Sequence, residues 1–157
     1  MSFQKASFAA GCFWGVEQIF FQTLGVTETA VGYTQGATEN PSYKEVCSGT
    51  TGHVEAIEIT YDDERVSFEK LLEVFWNCHD ATQVGGQGPD MGSQYRSGIY
   101  CYTEEQLAVA QKSKEELAVK LPRPIATEIM PATIFYMGEE YHQKYLQKNR
   151  GASCSHT

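Results

Sequence analysis

Gly11-Cys12-Phe13-Trp14-Gly15 is the segment of this chain best suited to chemistry. Phe8-Ala9-Ala10 reads as the end of a short buried strand, Gly11 as its break, and residues 14–24 as a helix with Val16, Ile19, Phe20 and Leu24 on one face. A thiol at that junction meets first-turn N–H groups and the positive end of a helix dipole, and both favour the thiolate. The two glycines let the backbone turn sharply and let a substrate come close. Phe13 and Trp14 would wall the sulfur with apolar surface, which suits a methyl or thioether group better than a sugar or phosphate. A buried, inert cysteine in an apolar turn fits the same five residues equally well, so the thiol needs partners before a reaction can be assigned.

Glu55 is the first such partner. Alternation over residues 54–61 puts Glu55, Ile57, Ile59 and Tyr61 on one face of a strand, and Ala56, Glu58 and Thr60 on the other. Glu55 is therefore expected to point inward, where burial disfavours its charged form. Keeping it neutral near pH 7 takes about 4 kcal/mol, which a partly dry pocket can supply. A neutral carboxyl can then act as general acid toward a substrate oxygen. The strand begins just after Gly52-His53, so a strand-end Glu55 facing water is the alternative. Two glycine-bearing loops, residues 35–51 and 80–96, carry Tyr43, Asp90 and Tyr95. Tyrosine hydroxyls can hold a polarised oxygen, although the chain has nine tyrosines and these two also read as ordinary loop residues.

Cysteines number five: Cys12, Cys47, Cys78, Cys101 and Cys154. The odd count and the lack of a CxxC pair argue against a disulfide framework and a zinc ribbon. Cys154 lies in a small, polar tail from Asn149 that is expected to be mobile. A mobile thiol is a hazard unless it is used, and its use would be to resolve an oxidised Cys12; a harmless thiol at a disordered end is the alternative. Cys78 beside His79 reads as structural, because neighbours on a helix face different ways. Cys101 reads as core. Cys47 reads as inert, with a spare resolving role as its alternative. His142, in Glu140-Tyr141-His142, reads as a packing or surface residue, with a base for Cys12 as the other possibility.

The elements that must position these groups follow the order βαβ, βαβ, then a mixed end. A strand is expected near residues 29–33. Ser67 caps a helix with the stripe Phe68, Leu71, Leu72 and Phe75. A strand spans residues 99–102, Thr103-Glu104-Glu105-Gln106 reads as a capping box for a helix to about residue 121, and Pro122 and Pro124 end it. A strand at 125–129 and a short helix at 139–146 complete the set. The expected fold is α/β (α+β): a two-layer sandwich of the split βαβ, ferredoxin-like type. One catalytic domain is expected over residues 1–148, with residues 149–157 as a tail. The 157 residues suit one domain, and 41% of them are apolar. The formal net charge of −8, without a basic run, argues against nucleic acid or an anionic membrane as the main partner. Neither a signal core nor a membrane span is read, so a cytosolic location is expected.

At this point the residues resemble a known family. Gly11-Cys12-Phe13-Trp14-Gly15 is similar to the signature of the peptide methionine sulfoxide reductases of the A type. Val31-Gly32-Tyr33, Asn40-Pro41-Ser42-Tyr43, Cys47-Ser48-Gly49-Thr50-Thr51-Gly52-His53-Val54-Glu55, Tyr95-Arg96-Ser97 and Glu140-Tyr141-His142-Gln143 extend the likeness in the expected order. The resemblance implies reduction of the S epimer of methionine sulfoxide, free or in proteins. By similarity Cys12 attacks the sulfoxide sulfur, Glu55 protonates the oxygen with help from Tyr43 and Tyr95, and Asp90 orients the site. Phe13 and Trp14 would hold the methyl group. Cys12 is then left as a sulfenic acid. A disulfide with Cys154 follows, and thioredoxin reduces it. No metal or organic cofactor is implied, and a monomer is expected. Two rivals stand beside this reading: a cysteine hydrolase with His142 or His53 as base, and a sulfoxide-binding or redox-sensing module without turnover.

Overall fold

The structure, a computed structural model, describes residues 3–148. Strand β1 (Phe3–Ala9) leads into helix α1 (Phe13–Phe21), and β2 (Val26–Thr34) returns alongside. Helix α2 (Tyr43–Cys47) precedes β3 (Val54–Asp62), which feeds α3 (Phe68–Asn77). The short hairpin β4 (Gly86–Gln87) and β5 (Asp90–Met91) follows, then β6 (Gly98–Cys101), α4 (Glu104–Ala118), β7 (Glu128–Pro131), β8 (Tyr136–Met137) and α5 (Tyr145–Lys148).

The main sheet runs β7-β6-β1-β3-β2-β8. Its middle four strands pair antiparallel, with β3 lying between β1 and β2. That placement is the split βαβ arrangement expected from the sequence, with β7 added parallel to β6 and β8 added antiparallel to β2. Phe8 sits at the centre of the sheet, in register with both Ile57 and Ile99. Its ring stacks on Phe20 at 4.9 Å and Phe75 at 5.2 Å. Phe13, Val16 and Phe20 of α1, Phe68, Leu71, Leu72 and Phe75 of α3, and Ala110 of α4 join it in one core on one face of the sheet. Burying each such aromatic ring contributes roughly 2–3 kcal/mol, and the stack pins α1 to the end of β1 where Cys12 lies. On the opposite face a smaller cluster of Ala9, Val54, Ala56 and Tyr100 is covered by Ala132 and Phe135. Among the described residues no helix is long and apolar enough to cross a membrane.

Several elements depart from the sequence reading. Helix α1 ends at Phe21, and its buried face is Phe13, Val16, Glu17 and Phe20, while Ile19 and Leu24 are exposed. The Thr23 hydroxyl donates to the Ile19 carbonyl and Gly25 turns at φ +96°, so the chain leaves the helix a turn early. The first loop contains α2, started by a capping box in which Ser42 accepts from Glu45 N and Glu45 accepts from Ser42 N. The second loop contains the β4–β5 hairpin. At Thr103 only half of the capping box forms: Gln106 N–H donates to the Thr103 hydroxyl, but the Gln106 side-chain oxygen accepts the Tyr102 N–H instead of that of Thr103, and its amide nitrogen donates to the Lys5 carbonyl. The strand expected at 125–129 lies at Glu128–Pro131. The final helix is split by Lys144 at φ +53° into a 3-10 turn, Glu140–His142, and α5.

Candidate active site

Cys12 is the N-cap of α1, as the junction predicts, and is only 5% exposed. Gly11 before it has φ +88°, and a Cβ there would lie 2.8 Å from Cβ of Gln87. Only glycine permits both that turn and the close packing of the hairpin over it. A cavity of about 230 Å³ is lined by Cys12 together with Gly15, Cys78, Gln87, Pro89 and Asp90. Cys12 is thus buried but borders an open cavity.

Glu55 points inward and is 1% exposed, opposite Tyr33 in the β2–β3 register. The strand-end alternative does not hold. Its Oε1 accepts the Phe13 N–H at 3.2 Å, which ties the carboxyl to the first residue of the Cys12 helix. Its Oε2 is buried and, among the described residues, has no hydrogen-bond partner. Buried polar atoms are almost always satisfied, so this unsatisfied one reads as a place where a ligand completes the set. Burial pushes the carboxyl well up, the Cys12 charge and that of Asp90 push it further, and the Phe13 N–H opposes them. Burial and mutual repulsion thus disfavour a state in which the sulfur and the carboxyl are both charged.

Tyr43 from α2 and Tyr95 from a 3-10 turn (Ser93–Tyr95) bring their hydroxyls to the same place. Burial raises both phenols, and the Glu55 charge raises them further, so both remain proton donors. Both hydroxyls lie close enough to the Cys47 thiol to act on its proton affinity. Cys47, read as inert, therefore stands at the site. Burial raises its thiol, while the two hydroxyls lower it. Asp90 lies in β5 on the rim of the cavity and acts on Glu55 through its charge.

The aromatic wall is larger than two residues. Phe13 packs on Tyr33, Tyr43 and His142, with centroids 5.8, 6.4 and 5.2 Å away. The Trp14 indole N–H donates to His142 Nδ1 at 3.0 Å, and its ring stacks on Tyr145 at 3.7 Å. Both partners come from the C-terminal segment. Gln143 holds that segment down by accepting Val31 N–H and donating to the Val31 and Gly138 carbonyls. Buried Glu17 helps by accepting the Lys144 N–H. Sequence reasoning missed Tyr33, Glu17 and Gln143 as site-building residues; the polar Glu17 on an apolar helix face was the available signal.

The remaining histidines and cysteines are held in structural contacts. His53 accepts Gly36 N–H at Nδ1 and donates to the Thr38 carbonyl from Nε2, so it braces a loop. His79 donates to the Phe75 carbonyl and meets Ser97 Oγ, and burial lowers its basicity. The Cys78 thiol, pushed up to about 12 by burial, donates to the Phe75 carbonyl. Cys101 is in the core and is raised to about 11 by burial. Among the described residues no group of three metal-ligating side chains occurs. Cys154 and the tail lie outside the described residues.

The raised Glu55 carboxyl carries a stability consequence. The unfolded chain ionises Glu55 above about pH 4, whereas the fold keeps it protonated, so the fold loses stability as pH rises from there toward the folded value. Glu55→Gln removes that loss. The variant is expected to melt higher than the parent near neutral pH, with the gain vanishing below the usual carboxylate range. Thermal melts across pH check this, and a variant that melts lower at every pH would contradict it.

A family model for peptide methionine sulfoxide reductase matches residues 4–157. The chain is 52% identical over 155 residues to the peptide methionine sulfoxide reductase MsrA of Methanoculleus marisnigri, covering 98% of this chain and 94% of that relative. Its fold matches the reduced form of Mxr1 from Saccharomyces cerevisiae with a TM-score of 0.91 at 37% identity, over 97% of this chain and 89% of that one. It also matches Mxr1 in complex with Trx2, with a TM-score of 0.66 at 25% identity, over 91% of this chain and 84% of that one. A match from residue 4 to the end, joined to more than half identity over nearly the whole of a relative, places the chain in the peptide methionine sulfoxide reductase family, whose enzymes reduce methionine sulfoxide.

Proposed function

We propose that this chain reduces the S epimer of methionine sulfoxide, free or in proteins, with Cys12 as nucleophile and Glu55 as proton donor. The observation that carries the reading is the buried, unpartnered Oε2 of Glu55, held next to Cys12 through the Phe13 N–H. The Cys12 sulfur attacks the sulfoxide sulfur while Glu55 gives its proton to the oxygen. Tyr43 and Tyr95 hydrogen-bond the same oxygen, and the Asp90 charge helps keep Glu55 protonated. Phe13 and Trp14 take the methyl group. The products are a thioether and a Cys12 sulfenic acid: the substrate sulfur gains two electrons and the cysteine loses two. A thiol from Cys154 then condenses with the sulfenic acid, releasing water and leaving a disulfide. Thioredoxin reduces that disulfide by thiol exchange. Mxr1, which shares the fold, is known in complex with Trx2, and this supports thioredoxin as the reductant. In this reading residues 1–148 form the catalytic domain, 149–157 the recycling arm, and the thiols are kept reduced in the cytosol.

Dithiothreitol-driven conversion of methionine sulfoxide tests the function. Many turnovers, with the S epimer consumed and the R epimer left, are expected. Conversion that stops after one equivalent would favour a binding or sensing module, and acyl transfer without thiol consumption would favour a hydrolase. The Trp14 N–H on His142 Nδ1 and the two engaged nitrogens of His53 weigh against the hydrolase.

Cys154→Ser is expected to permit one sulfoxide turnover but to block recycling by thioredoxin. Steady-state turnover with thioredoxin and its reductase measures this. Unchanged turnover would move the resolving role to Cys47, which lies beside the Tyr43 and Tyr95 hydroxyls.

A further inference from the structure

Helix α2 has only five residues, too few to hold its own position in water. Its anchors therefore decide where Tyr43 points. The capping box satisfies the Ser42 and Glu45 N–H groups. The Tyr43 N–H, which has no partner within the helix, donates to Glu139 Oε2 at 2.9 Å. The other oxygen of the same carboxyl accepts the Tyr33 hydroxyl at 2.7 Å. Tyr33 is fully buried, packs on Phe13 and lies across from Glu55 in register. Glu139 is itself fixed to β2, because the preceding Gly138 donates its N–H to the Val31 carbonyl at 2.8 Å. One carboxylate thus ties the short helix of Tyr43 to the strand pair that carries Glu55.

We propose that Glu139 is a positioning residue for sulfoxide reduction, a clamp that sets the Tyr43 hydroxyl relative to the Glu55 carboxyl. The inference rests on the reading that Tyr43 hydrogen-bonds the sulfoxide oxygen. Partial burial pushes the Glu139 carboxyl up, but the Tyr43 N–H and the Tyr33 hydroxyl outweigh it and hold it below the usual range. It is therefore an anion over the pH range in which the Cys12–Glu55 pair works. A carboxylate accepts from both donors at once. An alanine accepts from neither, which frees α2 to shift, and small misplacements of a catalytic donor cost rate disproportionately.

The test is a double-mutant cycle on Glu139 and Tyr43, read as single-turnover rate, kcat and KM with dithiothreitol as reductant. Glu139→Ala is expected to lower kcat on the order of tenfold, with KM changing less. In a Tyr43→Phe background the same change is expected to cost almost nothing, because the hydroxyl it positions is gone. Glu139→Gln is expected to recover most of the loss: its carbonyl accepts the Tyr43 N–H, and its amide donates to a Tyr33 hydroxyl that has turned round. Should Glu139→Ala not fold, Glu139→Asp replaces it, one methylene too short to reach both donors and expected to lose severalfold. A full Glu139 effect persisting in the Tyr43→Phe background, or Glu139→Gln as poor as the alanine variant, would overturn the clamp. A Tyr43→Phe protein with the parent rate would instead overturn the role of Tyr43 itself, and the clamp with it.

Discussion

Cys12→Ser is expected to leave no measurable reduction of methionine sulfoxide, a loss of at least about ten-thousandfold. Two properties go at once. A serine hydroxyl stays protonated where the thiol at this helix start can ionise. It also cannot take up the oxygen as a sulfenic acid, so it has nowhere to put the two electrons' worth of oxidation. The substitution is nearly isosteric at a 5% exposed N-cap, and serine is a good N-cap residue, so the fold is expected to survive. Methionine released in a single turnover with dithiothreitol measures it. Activity retained at even a few per cent would mean that another sulfur does the attacking.

Glu55→Gln is expected to cost between about a hundredfold and ten-thousandfold in rate, the usual range for a positioned general acid. Glutamine can still accept the Phe13 N–H, so the geometry around α1 is kept while the proton is lost. The pH profile separates this from a packing defect. Burial and the charges of Cys12 and Asp90 raise the Glu55 carboxyl, so the parent acid is protonated and competent below its raised value and fails above it. The parent rate should therefore fall on the alkaline side as Glu55 ionises. The slower glutamine variant has no such group and should lack that limb. An unchanged rate across neutral pH would remove Glu55 from the chemistry. The expected gain in thermal stability of the same variant fits a residue that the fold tolerates for its reaction, at some expense to stability.

How much of this was legible in the sequence depended on range. Alternation along β3 placed Glu55 inward, and the strand–helix junction at Gly11-Cys12 placed the thiol, because both are read from neighbouring residues. The split βαβ order followed from the succession of elements. Helix α2 was hidden among turn residues, although Ser42 and Glu45 already spelled its capping box. The exposure of Ile19 and Leu24 was not legible, since the helix end was set by Thr23 and Gly25 rather than by hydrophobic period. The C-terminal half of the site was beyond local reading altogether. His142 reaches Trp14 across 128 positions, Gln143 reaches Val31 across 112, and Glu139 reaches Tyr43 across 96. The sequence offers only polar side chains at those positions, and it is the sheet order, with β8 beside β2, that brings them to the site.

The most direct test of the central claim is mass spectrometry of the protein after one equivalent of methionine S-sulfoxide, with Cys154 replaced by serine and a sulfenic-acid trap present. One trapped adduct on Cys12 for each methionine released is the expected result. An adduct on Cys47 with Cys12 unmodified, or methionine formed with no oxidised cysteine at all, would contradict the account.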